Sequence, residues 1–231
     1  MHSSAASSMP SRAVLGATSP SQRRIEPNML LETIHHDLTA EQFEYFTAVP
    51  QVAWDIETTG LNWRVDSIGT CQLTDGSRTV IVQVDGRRPE RLAALVESGV
   101  QKVFHHAMFD LRFMARGWGV VPAEIACTKI AAKILNPNAA PESRSLKSLL
   151  SEKLGMSISK DQQRSDWLRE ELTADQLRYA AIDVAYLSTL LERLLDELRE
   201  QGTLELALMS FEYIPTRVQL DLCGAEDVFT Y

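Results

Sequence analysis

The sequence predicts an α/β fold in which a mixed central sheet is flanked by helices, and three observations carry that expectation. Three short strand-like segments come first, and helices and strands alternate after them. Two of the early strands are joined by Asp75-Gly76, a dipeptide that favours a tight antiparallel connection. Near the C-terminus, leucines at 187, 190, 191, 194, 195 and 198 form an apolar stripe at helical spacing. The chain has 231 residues, enough for one such domain with a full core, and 45% of them are hydrophobic.

Taken in order, residues 1–28 stand apart. Seven serines fall within the first 21 positions, with prolines at 10, 20 and 27 and no acidic residue before Glu26. Such a composition cannot build a core, and the segment is read as a disordered tail. Its Arg- and Ser-rich, acid-poor character also resembles an organelle transit peptide, and Met29 would serve as an alternative start. Thr39 followed by Gln42 marks a capped short helix. Val52–Glu57, 67–74 and 78–84 are the strands, and Pro89–Glu97 is a helix. Lys102–His106 is a fourth strand that runs into a helix over Ala107–Arg116. Further helices are expected at Thr128–Leu135, at Leu146–Leu154, and as one long segment from about Ala174 to Arg199.

The net charge of -8 argues against a wholly basic binding protein, but the charge is uneven. Residues 101–169 hold 11 basic and 6 acidic side chains, a net of +5, whereas residues 170–231 hold 4 and 13, a net of -9. The middle segment could therefore offer phosphates a local basic face, although from charge alone an ordinary solvated surface is the preferred reading. Cys71, Cys127 and Cys223 are far apart, with no CxxC or Cys/His cluster. Neither a zinc site nor a disulfide framework is indicated, and a reducing, cytoplasmic setting is expected. No stretch reads as a membrane span.

Three short motifs carry chemistry. In Trp54-Asp55-Ile56-Glu57, strand alternation puts Asp55 and Glu57 on one face and Trp54 and Ile56 on the other. Paired carboxylates raise each other's pKa unless a divalent cation neutralises them, and Mg²⁺ or Mn²⁺ prefers oxygen ligands. Asp110 falls in the first turn of the helix after His105-His106, where complementing the helix dipole would also explain it. Tyr179 and Asp183, four apart, share a helix face across Ala180 and Ala181. Each motif alone fits a bland solvated position.

Together and in this order they resemble the RNase D-like branch of the DEDD exonucleases, the DEDDy subgroup, which has a ribonuclease H-like fold. Asp55 and Glu57 match its first motif, Asp110 its second, and Tyr179 with Asp183 its third. Gln163, Ser165-Asp166-Trp167 and the run Leu172 to Leu187 also match, so the resemblance spans roughly residues 35–200. The segment from 204 to 231, with Pro215-Thr216-Arg217 and Asp221-Leu222, resembles the end of short bacterial forms that have the exonuclease domain alone. The expected organisation is a tail over 1–28, an exonuclease domain over 29–200, and an extension over 201–231 packed on it. Where the family's second motif commonly has an asparagine, this chain has His106.

The resemblance implies a 3′→5′ exoribonuclease that uses two divalent ions, Mg²⁺ or Mn²⁺, and releases nucleoside 5′-monophosphates from nucleic acid with a free 3′ end, RNA being favoured. Asp55 would bridge both ions, Glu57 and Asp183 would complete the site that activates water, and Asp110 would hold the second ion through water. Tyr179 would orient the attacking water. Thr58, Leu61, His106 and Phe109 flank the motifs and are candidates to line the pocket for the terminal nucleotide, Leu61 as a wedge between the last two bases. Phe109 and Trp167 are candidates to stack on bases, with core packing as the equal alternative. The rival readings are a 3′→5′ DNA exonuclease and a non-catalytic nucleic-acid-binding protein on the same fold; five acid and tyrosine positions kept together argue against the second.

Overall fold

The computed structural model describes residues 30–158, 162, 165–225 and 227–230. The expected tail and the matching residue Gln163 lie outside them. The chain forms one six-stranded mixed sheet. Its strands are β1 (Leu30–His35), β2 (Gln51–Thr58), β3 (Ile68–Thr74), β4 (Arg78–Gln83), β5 (Gln101–Phe104) and β6 (Ile125–Cys127), in the spatial order β1-β4-β3-β2-β5-β6. The neighbours β2/β3 and β3/β4 are antiparallel, while β1/β4, β2/β5 and β5/β6 are parallel. The Asp75-Gly76 turn joins β3 to β4 as expected. Gly76 sits at φ 96°, where a side chain would be strained.

Eight α-helices are described: α1 (Ala40–Ala48), α2 (Glu90–Glu97), α3 (Ala107–Trp118), α4 (Thr128–Leu135), α5 (Leu146–Leu154), α6 (Ala174–Ala185), α7 (Leu187–Gln201) and α8 (Leu204–Leu222). The Thr39–Gln42 pair closes a capping box on α1, and Thr173–Gln176 closes another on α6. Trp54 and Ile56 of β2 are buried in the main core, as the strand alternation requires.

The expected long helix over 174–199 is two. Tyr186 leaves the helical region at φ -117°, ψ 5°, and separates α6 from α7. The two halves pack differently: α6 lies on β2, β3 and β4, whereas α7 lies against α4, α5, α8, β2 and β5. One straight rod of about 26 residues would run on for roughly 39 Å and could not follow both surfaces. The leucine stripe belongs to α7, where Leu187, Leu190, Leu191, Leu194 and Leu198 are buried.

Besides a one-turn 3-10 helix at Pro141–Arg144, three elements were not expected from the sequence. β1 is an edge strand beside β4, β6 is only three residues long, and α8 runs 19 residues in spite of Pro215. Pro215 leaves the Phe211 carbonyl without its helical donor. Burial of Ala207, Phe211, Ile214 and Val218 against α3, α4, α7 and β6 holds the helix regardless. Asp221 of α8 is bound by both Arg112 of α3, at 2.6 Å, and Arg217, at 3.1 Å. No helix among the described residues is long and apolar enough to cross a membrane.

Candidate active site

Three elements bring the predicted acids together. The second half of β2 presents Asp55 and Glu57, the first turn of α3 presents Asp110, and α6 presents Tyr179 and Asp183. The contact of α6 with β2 and β3 closes the arrangement. One carboxylate oxygen from each of Asp55, Glu57 and Asp183 lies within 4.8 Å of the others. Asp55 and Asp183 are partly exposed, while Glu57 is 9% and Asp110 2% exposed.

Crowded acids in a poorly solvated place resist ionisation. Burial first, then the charge of Asp183 and Asp110, pushes Glu57 up to about 9. Burial raises Asp110 to about 7, against backbone N–H groups of its own residue and Ile56 that favour the carboxylate. Asp55 is also raised well above the ordinary value, by burial and then by Asp110, Glu57 and Asp183. The amide of Gln72 opposes this by donating to Asp55 Oδ2 at 2.7 Å. Burial and the nearby Asp183 and Glu57 charges push the Tyr179 phenol far above its usual value, and its hydroxyl is hydrogen-bonded to Asp183. A phenol in that state donates hydrogen bonds and does not act as a base.

The donor set fits divalent cations. It is all oxygen, as hard cations prefer. Among the described residues, Asp110 Oδ1 is buried and has no hydrogen-bond partner, and a buried carboxylate oxygen is costly unless something positive compensates it. Asp55, Glu57, Asp183 and Asp110 are therefore the residues able to hold metal.

The raised acids set a pH dependence. Carboxylates whose folded pKa lies above the unfolded value stabilise the fold least once they must ionise. Metal-free protein is therefore expected to lose stability as the pH rises from the ordinary carboxylate range, about 4, toward the Glu57 value of about 9. Divalent cation should recover more stability at pH 8 than at pH 5. Thermal melting across that range, with and without Mn²⁺, checks this; a metal-free melting temperature that climbs between pH 5 and 8 would contradict it.

The other predicted residues fare differently. Thr58 follows Glu57 at the end of β2, and its hydroxyl is spent on the turn, donating to the Gly60 carbonyl at 2.6 Å. Leu61 projects from that turn at 84% exposure. His106 caps α3 by position only, with no side-chain cap hydrogen bond, and its ring stacks on Phe109 at 6.1 Å. Partial enclosure of that ring, then the Lys129 and Arg112 charges, lower its pKa to about 4. His106 is thus neutral near pH 7. Phe109 is half-buried between His106 and Phe113.

Trp167 requires a correction as a base-stacking candidate. It is 3% exposed and sits in a small core with Ile81 and Ala180, its ring 6.0 Å from that of Tyr179. It backs the tyrosine and offers no free face to a base. A side chain at Gly69 of β3 would meet the Trp167 carbonyl at 2.8 Å, so this packing needs the glycine. Gln72 was missed because a glutamine in a strand carries no motif. The signal available was the register: once the hairpin and antiparallel β2/β3 pairing are set, position 72 lies opposite Asp55.

Comparison with known proteins agrees with this geometry. The sequence profile of the 3′-5′ exonuclease family matches residues 31–199. Ribonuclease D of Escherichia coli is 28% identical over 196 residues, which is 84% of this chain and 51% of that protein. The chain thus spans about half the length of the curated ribonuclease D relatives it matches. DNA polymerase I of Aquifex aeolicus is 35% identical over 153 residues, 65% of this chain and 25% of that protein. Among solved structures, Brucella melitensis NrnC bound to pGG superposes with a TM-score of 0.80 at 34% identity, covering 88% of this chain and 100% of that one. The same protein with bound Mg²⁺ gives a TM-score of 0.79 at 33% identity, with the same coverage of both chains. The mixed sheet flanked by helices is the ribonuclease H-like arrangement of such domains, E. coli ribonuclease D included, at a TM-score of 0.69 and 26% identity over 83% of this chain and 51% of that one. With four acids and a tyrosine converging from β2, α3 and α6 on this sheet, and with the profile matched along most of its length, the chain belongs to the 3′-5′ exonuclease family.

Proposed function

We propose that the chain is a divalent-metal-dependent 3′→5′ exoribonuclease that hydrolyses the terminal phosphodiester bond and releases nucleoside 5′-monophosphates. The observation that carries this reading is the acid cluster itself. Asp55, Glu57 and Asp183 converge within 4.8 Å, and beside them Asp110 keeps a buried oxygen without a hydrogen-bond partner among the described residues. Four carboxylates suit two ions, and Asp55, Glu57, Asp183 and Asp110 would hold them. Bound there, such ions would lower the pKa of water and would offset charge on the phosphoryl and leaving oxygens.

The chain's own residues supply the rest. Tyr179 keeps its proton and orients the attacking water by hydrogen bonding, supported from behind by Trp167. Leu61, exposed on the turn after β2, and Phe109, half-buried and next to Asp110 in the chain, are the candidates for an apolar grip on the terminal bases. His106 offers a neutral hydrogen-bonding ring. RNA is favoured because ribonuclease D is matched over most of this chain. The DNA polymerase I relative keeps a DNA substrate as the second reading.

Purified protein incubated with 5′-labelled RNA or DNA of one sequence tests this. Stepwise shortening of the RNA from its 3′ end with Mg²⁺ or Mn²⁺, and none in excess chelator, is the expected result. Undiminished cleavage in chelator would remove the metal reading, and DNA degraded as fast as RNA would remove the RNA preference. A 5′-phosphorylated dinucleotide in the same series reports whether the pocket suffices without a longer strand.

A further inference from the structure

Gln72 stands out among the buried polar groups. Every residue of β3 is buried, and position 72 is 0% exposed. An apolar side chain would fit such a strand with no desolvation cost, whereas a buried amide must find partners for both of its ends. The partners it has belong to the site. Its Nε2 donates to Asp55 Oδ2 at 2.7 Å, and its Oε1 accepts from the Thr70 hydroxyl at 3.2 Å. Thr70 is itself 0% exposed.

The strand register explains the placement. In the β2/β3 pair, Asp55 lies opposite Gln72 and Glu57 lies opposite Thr70. Paired residues of neighbouring strands share a face and stand close enough to touch. The Thr70–Gln72 pair therefore underlies the Asp55–Glu57 pair, position for position. The direction of the amide also follows. In the ionised form that a cation requires, an aspartate only accepts hydrogen bonds, so there the NH₂ end must face Asp55 and the carbonyl end must face Thr70. Thr70 thus locks the amide, and the amide locks the plane of the Asp55 carboxylate.

We propose that Gln72, oriented by Thr70, is a positioning residue that holds the Asp55 carboxylate in place to receive a divalent cation. The inference rests on the metal reading above. Groups that orient a ligand typically change metal affinity or activity by about 10- to 100-fold when lost.

The test is calorimetric Mn²⁺ binding to wild type, Gln72→Leu and Thr70→Val, beside metal-free melting and single-turnover cleavage across a Mn²⁺ titration. Gln72→Leu should bind Mn²⁺ about 10- to 100-fold more weakly and regain most of its turnover at high Mn²⁺. Thr70→Val keeps the shape of the side chain and frees the amide, so a smaller weakening is expected in the same direction. A lower metal-free melting temperature with Mn²⁺ affinity intact would make Gln72 a packing residue and overturn the proposal. Lost turnover that excess Mn²⁺ does not restore would overturn it as well. If Gln72→Leu does not fold, wild-type affinity in Thr70→Val is decisive against it. Wild type that takes up no Mn²⁺ at all would instead remove the metal reading, and this inference with it.

Discussion

Asp183→Asn is expected to abolish measurable turnover while leaving the fold intact. The substitution keeps the shape of the side chain and removes one charge from a cluster whose ligand atoms lie within 4.8 Å of one another. A divalent cation stabilises developing charge by several kcal/mol, and each 1.36 kcal/mol is tenfold in rate, so a loss on the order of 1000-fold or more follows. Two opposite effects should accompany it. Mn²⁺ affinity should fall, because a ligand is lost. Metal-free melting should hold or rise near pH 8, because Asp183 is the largest charge acting against ionisation of Glu57. Calorimetric Mn²⁺ binding with thermal melting and cleavage measures all three. Wild-type Mn²⁺ affinity in this variant would show that Asp183 is not a ligand.

Tyr179→Phe should cost on the order of 100- to 1000-fold in turnover, the usual effect of losing one preorganised donor. Its Mn²⁺ affinity should barely change. The ring would stay packed against Trp167, while the hydroxyl that hydrogen-bonds Asp183 is lost. The phenol is held protonated, so its contribution is orientation, and no pH limb of the wild-type rate should belong to it. Turnover equal to wild type in single-turnover cleavage would make the tyrosine structural. A variant stripped of metal would mean that Tyr179 supports a ligand through its hydrogen bond to Asp183, and that the division of labour between the two is wrong.

The pair of variants tests a site whose acids were legible in the chain. Asp55 and Glu57 two apart in a strand, and Tyr179 and Asp183 four apart in a helix, are local periodicities that backbone geometry turns into shared faces. The helix over 128–135, the helix over 146–154 and the Asp75-Gly76 hairpin were legible for the same reason: each depends on residues within a few positions of one another. The edge strand β1 was not, since its six residues become a strand only by pairing with β4, more than forty positions on. Nor was α8, because Pro215 signals a break locally and burial against α3, α4, α7 and β6 outweighs it.

Trp167 and Gln72 show the limit most clearly. An aromatic residue in a matched motif reads equally as a base platform or as core, and only the approach of β3 at Gly69 and of α6 at Tyr179 assigns it to the core. A glutamine in a strand reads as nothing, until strand pairing sets it against Asp55. The sequence by itself determined which acids share a strand or helix face, Asp55 with Glu57 and Tyr179 with Asp183, since spacing along a helix or strand is a local property. Only the tertiary structure decided how the apparent long helix divides at Tyr186, which aromatic stays in the core, and which buried amide holds Asp55, because those depend on surfaces that meet only when distant segments pack.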